Sequence, residues 1–173
     1  MNQEKYSLID THTHLYFGQF EKDIDQVIER ARQAGLQAII TVGIDLDTSR
    51  KCIELAETYP DVFAAVGIHP NDSTKFEDST IEQLKKLSQH PKVVAIGEIG
   101  LDYYRDWAPV EIQQEAFRQQ IRLAREIGLP IIIHNREALE DILKILKSEG
   151  TEGLQGVFHC FSNNREWAQQ VLD

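Results

Sequence analysis

The feature that most constrains the fold is a repeated alternation of short apolar runs with helical patterns. Six runs rich in Ile and Val are each followed by a segment with apolar residues at helical spacing. This alternation is typical of βα units that share a parallel sheet. We predict strands over residues 6–10, 38–42, 62–68, 93–97, 130–133 and 156–158. Helices are predicted over about 20–34, from 47 or 48, from 79, over 109–127, over about 137–148 and from about 164.

Several helix starts carry recognisable signals. Ser79 and Glu82 have the spacing of a capping box, in which each side chain accepts a backbone N–H of the other residue. Pro109 is suited to the first position of a long helix. Asp47 or Thr48 is expected to cap the second helix, with capping the favoured role for Asp47.

Six βα units are compatible with two architectures. A closed (β/α) barrel has eight strands and roughly 250 residues, so a chain of 173 residues would form an incomplete barrel. An open doubly wound sheet is complete with six strands. We expect residues 1–173 to form a single domain in either case, and the polar residues at the strand ends favour the barrel.

Histidines and a glutamate recur at the carboxyl ends of the predicted strands. In a barrel these ends converge on one face, where active sites lie, whereas an open sheet would keep several of them apart. Imidazole and carboxylate groups suit Zn²⁺, Mn²⁺ and related ions, and a glutamate can bridge two cations. Convergence of six such residues predicts a metal site in an α/β, TIM-type barrel. The six residues are His12, His14, His69, Glu98, His134 and His159.

Several other residues near the strand ends are weaker candidates for the site. Arg136 could bind a phosphate oxygen or form a salt bridge at a helix start. Asp102 could orient a ligand or anchor its loop, and Asp10 could hold a ligand imidazole by its second nitrogen. His90 precedes Pro91 at the start of a strand, on the opposite face, and is expected to be structural or solvent-exposed. Three aromatic residues after the fourth strand could stack a nucleobase or only cover the barrel mouth: Tyr103, Tyr104 and Trp107.

Composition limits the possible settings and partners. The net charge of −10 opposes broad, unassisted binding of nucleic acid, although bound divalent cations reverse the local charge at a site. Cys52 and Cys160 have apolar neighbours and form no disulfide framework, which predicts buried thiols and a reducing, cytoplasmic setting. We see no signal-peptide pattern and no apolar run long enough for a membrane helix, so no membrane association is expected.

The motifs together resemble the TatD family of metal-dependent deoxyribonucleases, which belongs to the amidohydrolase-like hydrolases. The resemblance rests on five segments spread over the chain in the family's order. They are 9–14 (IDTHTH), 67–70 (GIHP), 97–103 (GEIGLDY), 133–136 (IHNR) and 158–162 (FHCFS).

The resemblance implies a TIM-type barrel that hydrolyses phosphodiester bonds, above all in DNA, with two divalent cations. Zn, Mn, Mg, Ni and Co are all candidates for these ions. The resemblance places His69 near the substrate phosphate. We expect Glu98 and His69 to be catalytic, and His69 and Arg136 to bind the substrate. The implied metal ligands are His12 and His14 for one cation, His134 and His159 for the other, and Glu98 between them.

The family also has an aspartate ligand near the end of the last barrel strand, which this sequence lacks. The resemblance therefore implies a chain truncated at its C-terminus, with weak or no activity and with barrel edges that could form an oligomer. Two other functions remain open. One is hydrolysis of a cyclic amide, although related amidohydrolases bridge their metals with a modified lysine where this chain has Glu98. The other is a non-catalytic metal-binding fragment.

Overall fold

A computed structural model describes residues 8–150 and 152–172. The strands are β1 (Leu8–Thr13), β2 (Leu36–Val42), β3 (Val62–Val66), β4 (Val93–Asp102), β5 (Ile131–Arg136) and β6 (Gly156–Phe158). The α-helices are α1 (Ile24–Gln33), α2 (Leu46–Thr58), α3 (Thr80–Ser88), α4 (Val110–Ile127), α5 (Leu139–Glu149) and α6 (Arg165–Leu172). A short 3₁₀ helix spans Pro70–Lys75.

The strand order decides between the two predicted architectures. The six strands are all parallel and lie in the sequential order β1-β2-β3-β4-β5-β6. A doubly wound sheet reverses its strand order at a switch point, and no reversal occurs here. The sheet instead curls into a half-barrel, which confirms the predicted incomplete TIM-type barrel.

Two layers of apolar side chains pack against the sheet. The outer layer packs the helices against the strands, with Phe117 and Ile121 of α4 and Ile142 of α5 fully buried. The inner layer is smaller and consists of residues from four neighbouring strands: Val42, Ala65, Ala95 and Ile132. These inward-facing side chains fill the half-barrel below its polar end, as layers of side chains fill a complete barrel.

Three strands extend further than the apolar runs predict. β1 continues to Thr13, β4 to Asp102 and β5 to Arg136, so His12, Glu98 and His134 lie within strands. Tyr6 and Ser7, predicted to begin β1, lie outside the described residues. The register shifts between Asp10 and Thr13 and between Ile96 and Ile99. Such irregularities change the direction in which side chains point, and they are common beside active sites.

Two predicted helix caps are wrong. Asp45, not Asp47, caps α2: its Oδ1 accepts the N–H of Thr48 at 2.9 Å, and Thr48 Oγ1 accepts the N–H of Asp45. Ser79 has helical backbone angles and makes no capping bond, because Thr80 Oγ1 accepts the N–H of Glu77 and forms the local turn instead.

Two other helices begin later than predicted. Pro109 precedes α4 as its N-cap rather than occupying its first position. Residues 20–23 form turns, so α1 begins at Ile24.

The new cap assignment gives a testable difference in stability. We expect Asp45→Ala to lower the free energy of unfolding by about 1 kcal/mol, because it removes the acceptor of a helix N-terminal N–H. Asp47→Ala should change it by less than about 0.5 kcal/mol, because Asp47 is exposed and only pairs with Arg50 on the surface. Urea unfolding of both variants measures the difference, and equal costs would contradict the assignment.

The edge strands carry apolar side chains in contact with solvent. Leu8 and Ile9 of β1 are 49% and 58% exposed, and Val157 of β6 is 43% exposed. Association through these edges stays a prediction. Among the described residues, no helix is both long and apolar enough to cross a membrane.

Candidate metal centre

The carboxyl ends of the strands bring the six predicted residues to one end of the half-barrel. His12 lies in β1 and His14 follows it, His69 lies after β3, and His159 follows β6. Glu98 and His134 lie in β4 and β5. A cavity of about 270 Å³ opens at this end, and four of the six residues line it: His14, His69, Glu98 and His134.

Glu98 is the centre of this arrangement. It is only 3% exposed, and its two carboxylate oxygens face different imidazoles. Oε2 lies 3.2 Å from His12 Nε2 and 3.7 Å from His14 Nε2. Oε1 lies 2.8 Å from His134 Nδ1 and 3.9 Å from His69 Nε2. One buried carboxylate therefore serves two separate groups of nitrogen atoms.

The atoms on the Oε2 side of Glu98 are spaced like the ligands of a single metal ion. His12 Nε2 and His14 Nε2 are 3.3 Å apart, and each lies within 3.7 Å of Glu98 Oε2. Nitrogen and oxygen ligands held at about 2.0–2.2 Å from a single Zn²⁺-like cation are roughly 3–3.5 Å from one another. These three atoms therefore fit one divalent cation.

Hydrogen bonding also prepares His14 to be a ligand. Its Nδ1 lies 2.9 Å from the carbonyl oxygen of Val42, which can only accept, so Nδ1 donates. In the neutral ring the lone pair is then on Nε2, which faces the Glu98 carboxylate. A lone pair aimed at a carboxylate is unfavourable unless a cation lies between them. A backbone carbonyl that orients an imidazole in this way is a common support for metal ligands.

The Oε1 side is supported by Asp102. His134 Nε2 lies 3.1 Å from Asp102 Oδ2, and the opposite nitrogen, Nδ1, faces Glu98. Asp102 is 1% exposed, and it also accepts a hydrogen bond from the Asn71 amide. With Nε2 donating to Asp102, His134 presents Nδ1 towards Glu98 as a potential ligand atom.

His69 lies within reach of the Oε1 side, but its tautomer presents a hydrogen-bond donor. Its Nδ1 accepts the N–H of Asn71 at 3.1 Å, so Nε2 carries the proton and points towards Glu98 Oε1. Burial lowers the pKa of His69 to about 4, which leaves the ring neutral at pH 7. The ring is close enough to Glu98 and His134 to share a cation with them, but this tautomer offers a donor. A neutral N–H donor suits a phosphate oxygen.

The charge states agree with metal binding. Burial alone would oppose ionisation of Glu98, but the imidazoles of His12, His134 and His69 around its carboxylate lower its pKa well below the usual range. Burial also lowers the pKa of His14 and of His159. An ionised carboxylate and neutral imidazoles are the forms that bind divalent cations.

His159 lies closest to the first group. Its ring stacks on that of His12 with centroids 3.5 Å apart and planes 14° from parallel. Among the described residues, His12, Glu98 and His159 form one set that could hold a cation, whereas the resemblance pairs His159 with His134. The assignment of His159 to the second cation stays a prediction.

Two further predictions, for Asp10 and Cys160, are wrong. Asp10 does not hold the His12 ring: its Oδ1 accepts the backbone N–H of His12 at 3.2 Å, because a short aspartate reaches the amide two residues on. Nδ1 of His12 is buried without a hydrogen-bond partner among the described residues. Cys160 is exposed, because the three-residue strand β6 leaves the loop after it uncovered, whereas Cys52 is buried as predicted.

Two glutamines of α4 support the site and were not predicted. Gln120 accepts the N–H of Ile68 at 2.7 Å and donates to its carbonyl oxygen, next to His69. Gln113 makes the same pair of contacts with the backbone of Asp102. Both are 1% exposed. Their sequence signal is a polar residue repeated after two helical turns on an otherwise apolar face.

The sequence is similar to those of known metal-dependent hydrolases and nucleases. The sequence matches the family described as TatD related DNase over residues 9–173. It is 47% identical over 165 residues to the uncharacterized metal-dependent hydrolase YabD of Bacillus subtilis strain 168, covering 95% of this chain and 65% of that protein. It is 38% identical over 160 residues to the 3'-5' ssDNA/RNA exonuclease TatD of Edwardsiella piscicida, covering 92% and 62% of the two chains.

A solved structure of a relative also has a similar fold. The crystal structure of YJJV, a TatD homolog from Escherichia coli K12, superposes with a TM-score of 0.89 at 35% identity, covering 95% of this chain and 64% of that one. The chain thus spans less than two thirds of the length of these relatives. The family match over nearly the whole sequence, together with the histidine and glutamate cluster, shows that the chain belongs to the TatD family of metal-dependent hydrolases.

Proposed function

We propose that this chain is a single domain that carries a binuclear metal centre for hydrolysis of phosphodiester bonds in single-stranded nucleic acid, above all DNA. The observation that carries the proposal is the division of the two Glu98 oxygens between two groups of imidazoles. A single buried carboxylate in this position is suited to bridge two cations. The substrate class follows from relatives that are described as 3'-5' ssDNA/RNA exonucleases.

The proposed roles follow the geometry except for His159, whose pairing with His134 is taken from the family resemblance. His12 and His14 hold one divalent cation, His134 and His159 hold the other, and Glu98 binds both. Bound cations, drawn from Zn, Mn, Mg, Ni and Co, would supply Lewis-acid chemistry for activating a water and stabilising the departing oxygen.

Two further residues are assigned to the substrate. His69 donates Nε2–H to a phosphate oxygen, which requires the neutral ring that its burial favours. Arg136 lines the cavity without an ion pair in the described parts of the chain, so its guanidinium is available to a phosphate. The alternative role for Arg136, a salt bridge at the start of a helix, therefore has no support.

An amidohydrolase centre bridged by a modified lysine is less well supported. Lys92 precedes the first residue of β4, at the opposite end from the cavity. Its Nζ donates to the carbonyl oxygens of Pro60 and Val62. The bridging position holds Glu98 instead, and this favours the phosphodiesterase.

The test of function is metal-dependent hydrolysis of single-stranded DNA and of bis-p-nitrophenyl phosphate, with a dihydropyrimidine as the competing substrate. We expect phosphodiester cleavage that requires added divalent cation and ceases with EDTA. Turnover should be slow, because the described strands provide no equivalent of the family's additional aspartate. Cleavage of the dihydropyrimidine alone would favour the amidohydrolase, and metal binding without any turnover would favour a non-catalytic role.

Metal binding should also be visible as stability. A cation at about 100 times its Kd that binds only the folded chain adds about 2.7 kcal/mol, which raises Tm by roughly 5–10 °C for a chain of this size. Thermal unfolding with Zn²⁺, Mn²⁺, Ni²⁺, Co²⁺ or Mg²⁺, followed by excess EDTA, measures the shift. A Tm that responds to none of these ions would contradict the metal centre.

A further inference from the structure

The loop after β4 exposes two large aromatic side chains next to the candidate metal centre. Tyr104 is 59% exposed and Trp107 is 63% exposed. Trp107 lines the same cavity as Glu98, His69 and His134. Exposed aromatic surface that borders a polar site commonly marks a place where a ligand binds.

The backbone of this loop is attached to the metal centre through Asp102. Asp102 Oδ1 accepts the N–H groups of Tyr104 and Arg105 at 3.1 and 3.0 Å, while Oδ2 lies 3.1 Å from His134 Nε2. One carboxylate thus connects the aromatic loop to a proposed metal ligand. These hydrogen bonds therefore hold the backbone of the aromatic loop next to His134.

Two arginines accompany the aromatic rings. The Arg105 guanidinium lies 4.5 Å from the centroid of the Trp107 ring, and that of Arg136 lies 4.0 Å from the centroid of the Tyr104 ring. Neither arginine pairs with a carboxylate in residues 8–150 or 152–172, although the chain has a net charge of −10. A guanidinium stacked on a ring keeps its N–H groups at the edge, where they can bind phosphate.

A third aromatic residue lines the cavity from the β1 side. Phe17 is 42% exposed, and its ring stacks on that of His14 with centroids 5.1 Å apart. Rings from the loops after β1 and β4 thus line the same cavity as Glu98. The cavity combines aromatic faces, free cationic groups and the metal ligands.

We propose that this cavity holds one unpaired nucleotide next to the scissile phosphate, with its base stacked on Trp107 and its phosphates bound by Arg105 and Arg136. This inference rests on the proposed phosphodiesterase function. Stacking on a protein ring needs the exposed face of a base, which an unpaired and unstacked nucleotide provides. The site therefore selects single strands by stacking and is tolerant of base identity.

The test is a binding measurement on the intact chain with Mg²⁺. The probes are 5'-fluorescein-labelled oligothymidylates with phosphorothioate linkages at the 3' end, with either a terminal thymidine or a terminal tetrahydrofuran abasic residue. We expect the abasic probe to bind roughly 5- to 100-fold more weakly in fluorescence anisotropy, the usual range for loss of one stacked base. Trp107→Ala should abolish this difference and Trp107→Phe should restore most of it.

A second readout uses the two tryptophans of the chain. In a Trp167→Phe variant, Trp107 is the only tryptophan, so its emission reports stacking directly. We expect an unlabelled form of the thymidine-terminated oligonucleotide to quench this emission and the unlabelled abasic form to leave it nearly unchanged.

The outcomes separate this inference from the proposed function. Suppose that bis-p-nitrophenyl phosphate is cleaved, but Trp107→Ala has the same ratio of affinities for the two probes as the unmodified chain. The stacking site is then wrong and the phosphodiesterase stands. If quenching occurs without any hydrolysis, the stacking site stands and the phosphodiesterase is wrong. Equal binding of both probes by the unmodified chain, or binding of neither, overturns the stacking site.

Discussion

Replacing Glu98 by glutamine should reduce metal-dependent phosphodiester hydrolysis by more than about 100-fold. Loss of a residue that only supports a metal ligand already costs 10- to 100-fold, and Glu98 is proposed to contact both cations. Glutamine keeps the shape of the side chain but replaces one ligand oxygen with an NH₂ group, which cannot bind a cation. Elemental analysis of the purified variant should find at most one cation per chain, against two in the unmodified protein.

A matched control for Glu98→Gln exists at the other end of the half-barrel. Glu57 Oε1 lies 3.2 Å from His90 Nε2, a glutamate–histidine contact like that of Glu98 but on the surface. Glu57→Gln should leave metal content and turnover unchanged. Tm values in EDTA establish whether each variant is folded. If Glu98→Gln retains both cations and its turnover, the bridging role is wrong.

The position of the site could be predicted from the sequence because it depends on strand order alone. Once β4 and β5 are neighbours in a parallel sheet, Glu98 and His134 must lie at the same end. The residue types then indicate a metal. The apolar runs did not reveal how far the strands extend, because polar residues such as His134 and Asp102 continue the hydrogen-bonded ladder without adding hydrophobic signal.

The details that the sequence did not reveal depend on contacts between distant segments. Val42 orients His14 from the neighbouring strand, and Gln120 reaches Ile68 from a helix fifty-two positions away. Local patterns carry no information about such partners. The capping of α2 by Asp45 rather than Asp47 shows the same limit over a few residues, since both aspartates satisfy the composition rule and only the backbone angles distinguish them.

Replacing Gly100 by alanine should be the most destabilising of the substitutions considered. Gly100 lies in β4 directly opposite His134, with φ at +140°, a conformation that side chains disfavour. An added Cβ would overlap the carbonyl oxygen of His134, and the backbone of a neighbouring strand cannot move aside without a large cost in free energy. Steric overlap and backbone strain together should cost roughly 3–5 kcal/mol. Tm should fall by roughly 6–20 °C in EDTA.

Gly128→Ala separates the two causes of that loss. Gly128 ends α4 with φ at +73°, but an added Cβ there meets no atom within 4 Å, so only backbone strain of about 1 kcal/mol is expected. The loss of stability in Gly100→Ala beyond that in Gly128→Ala then measures the steric effect of the close approach of β4 to β5. Because that approach brings Glu98 and His134 within 2.8 Å of each other, Gly100→Ala should also weaken metal binding, whereas Gly128→Ala should not. Equal losses of stability in the two variants would mean that strand spacing here is not limited by Gly100.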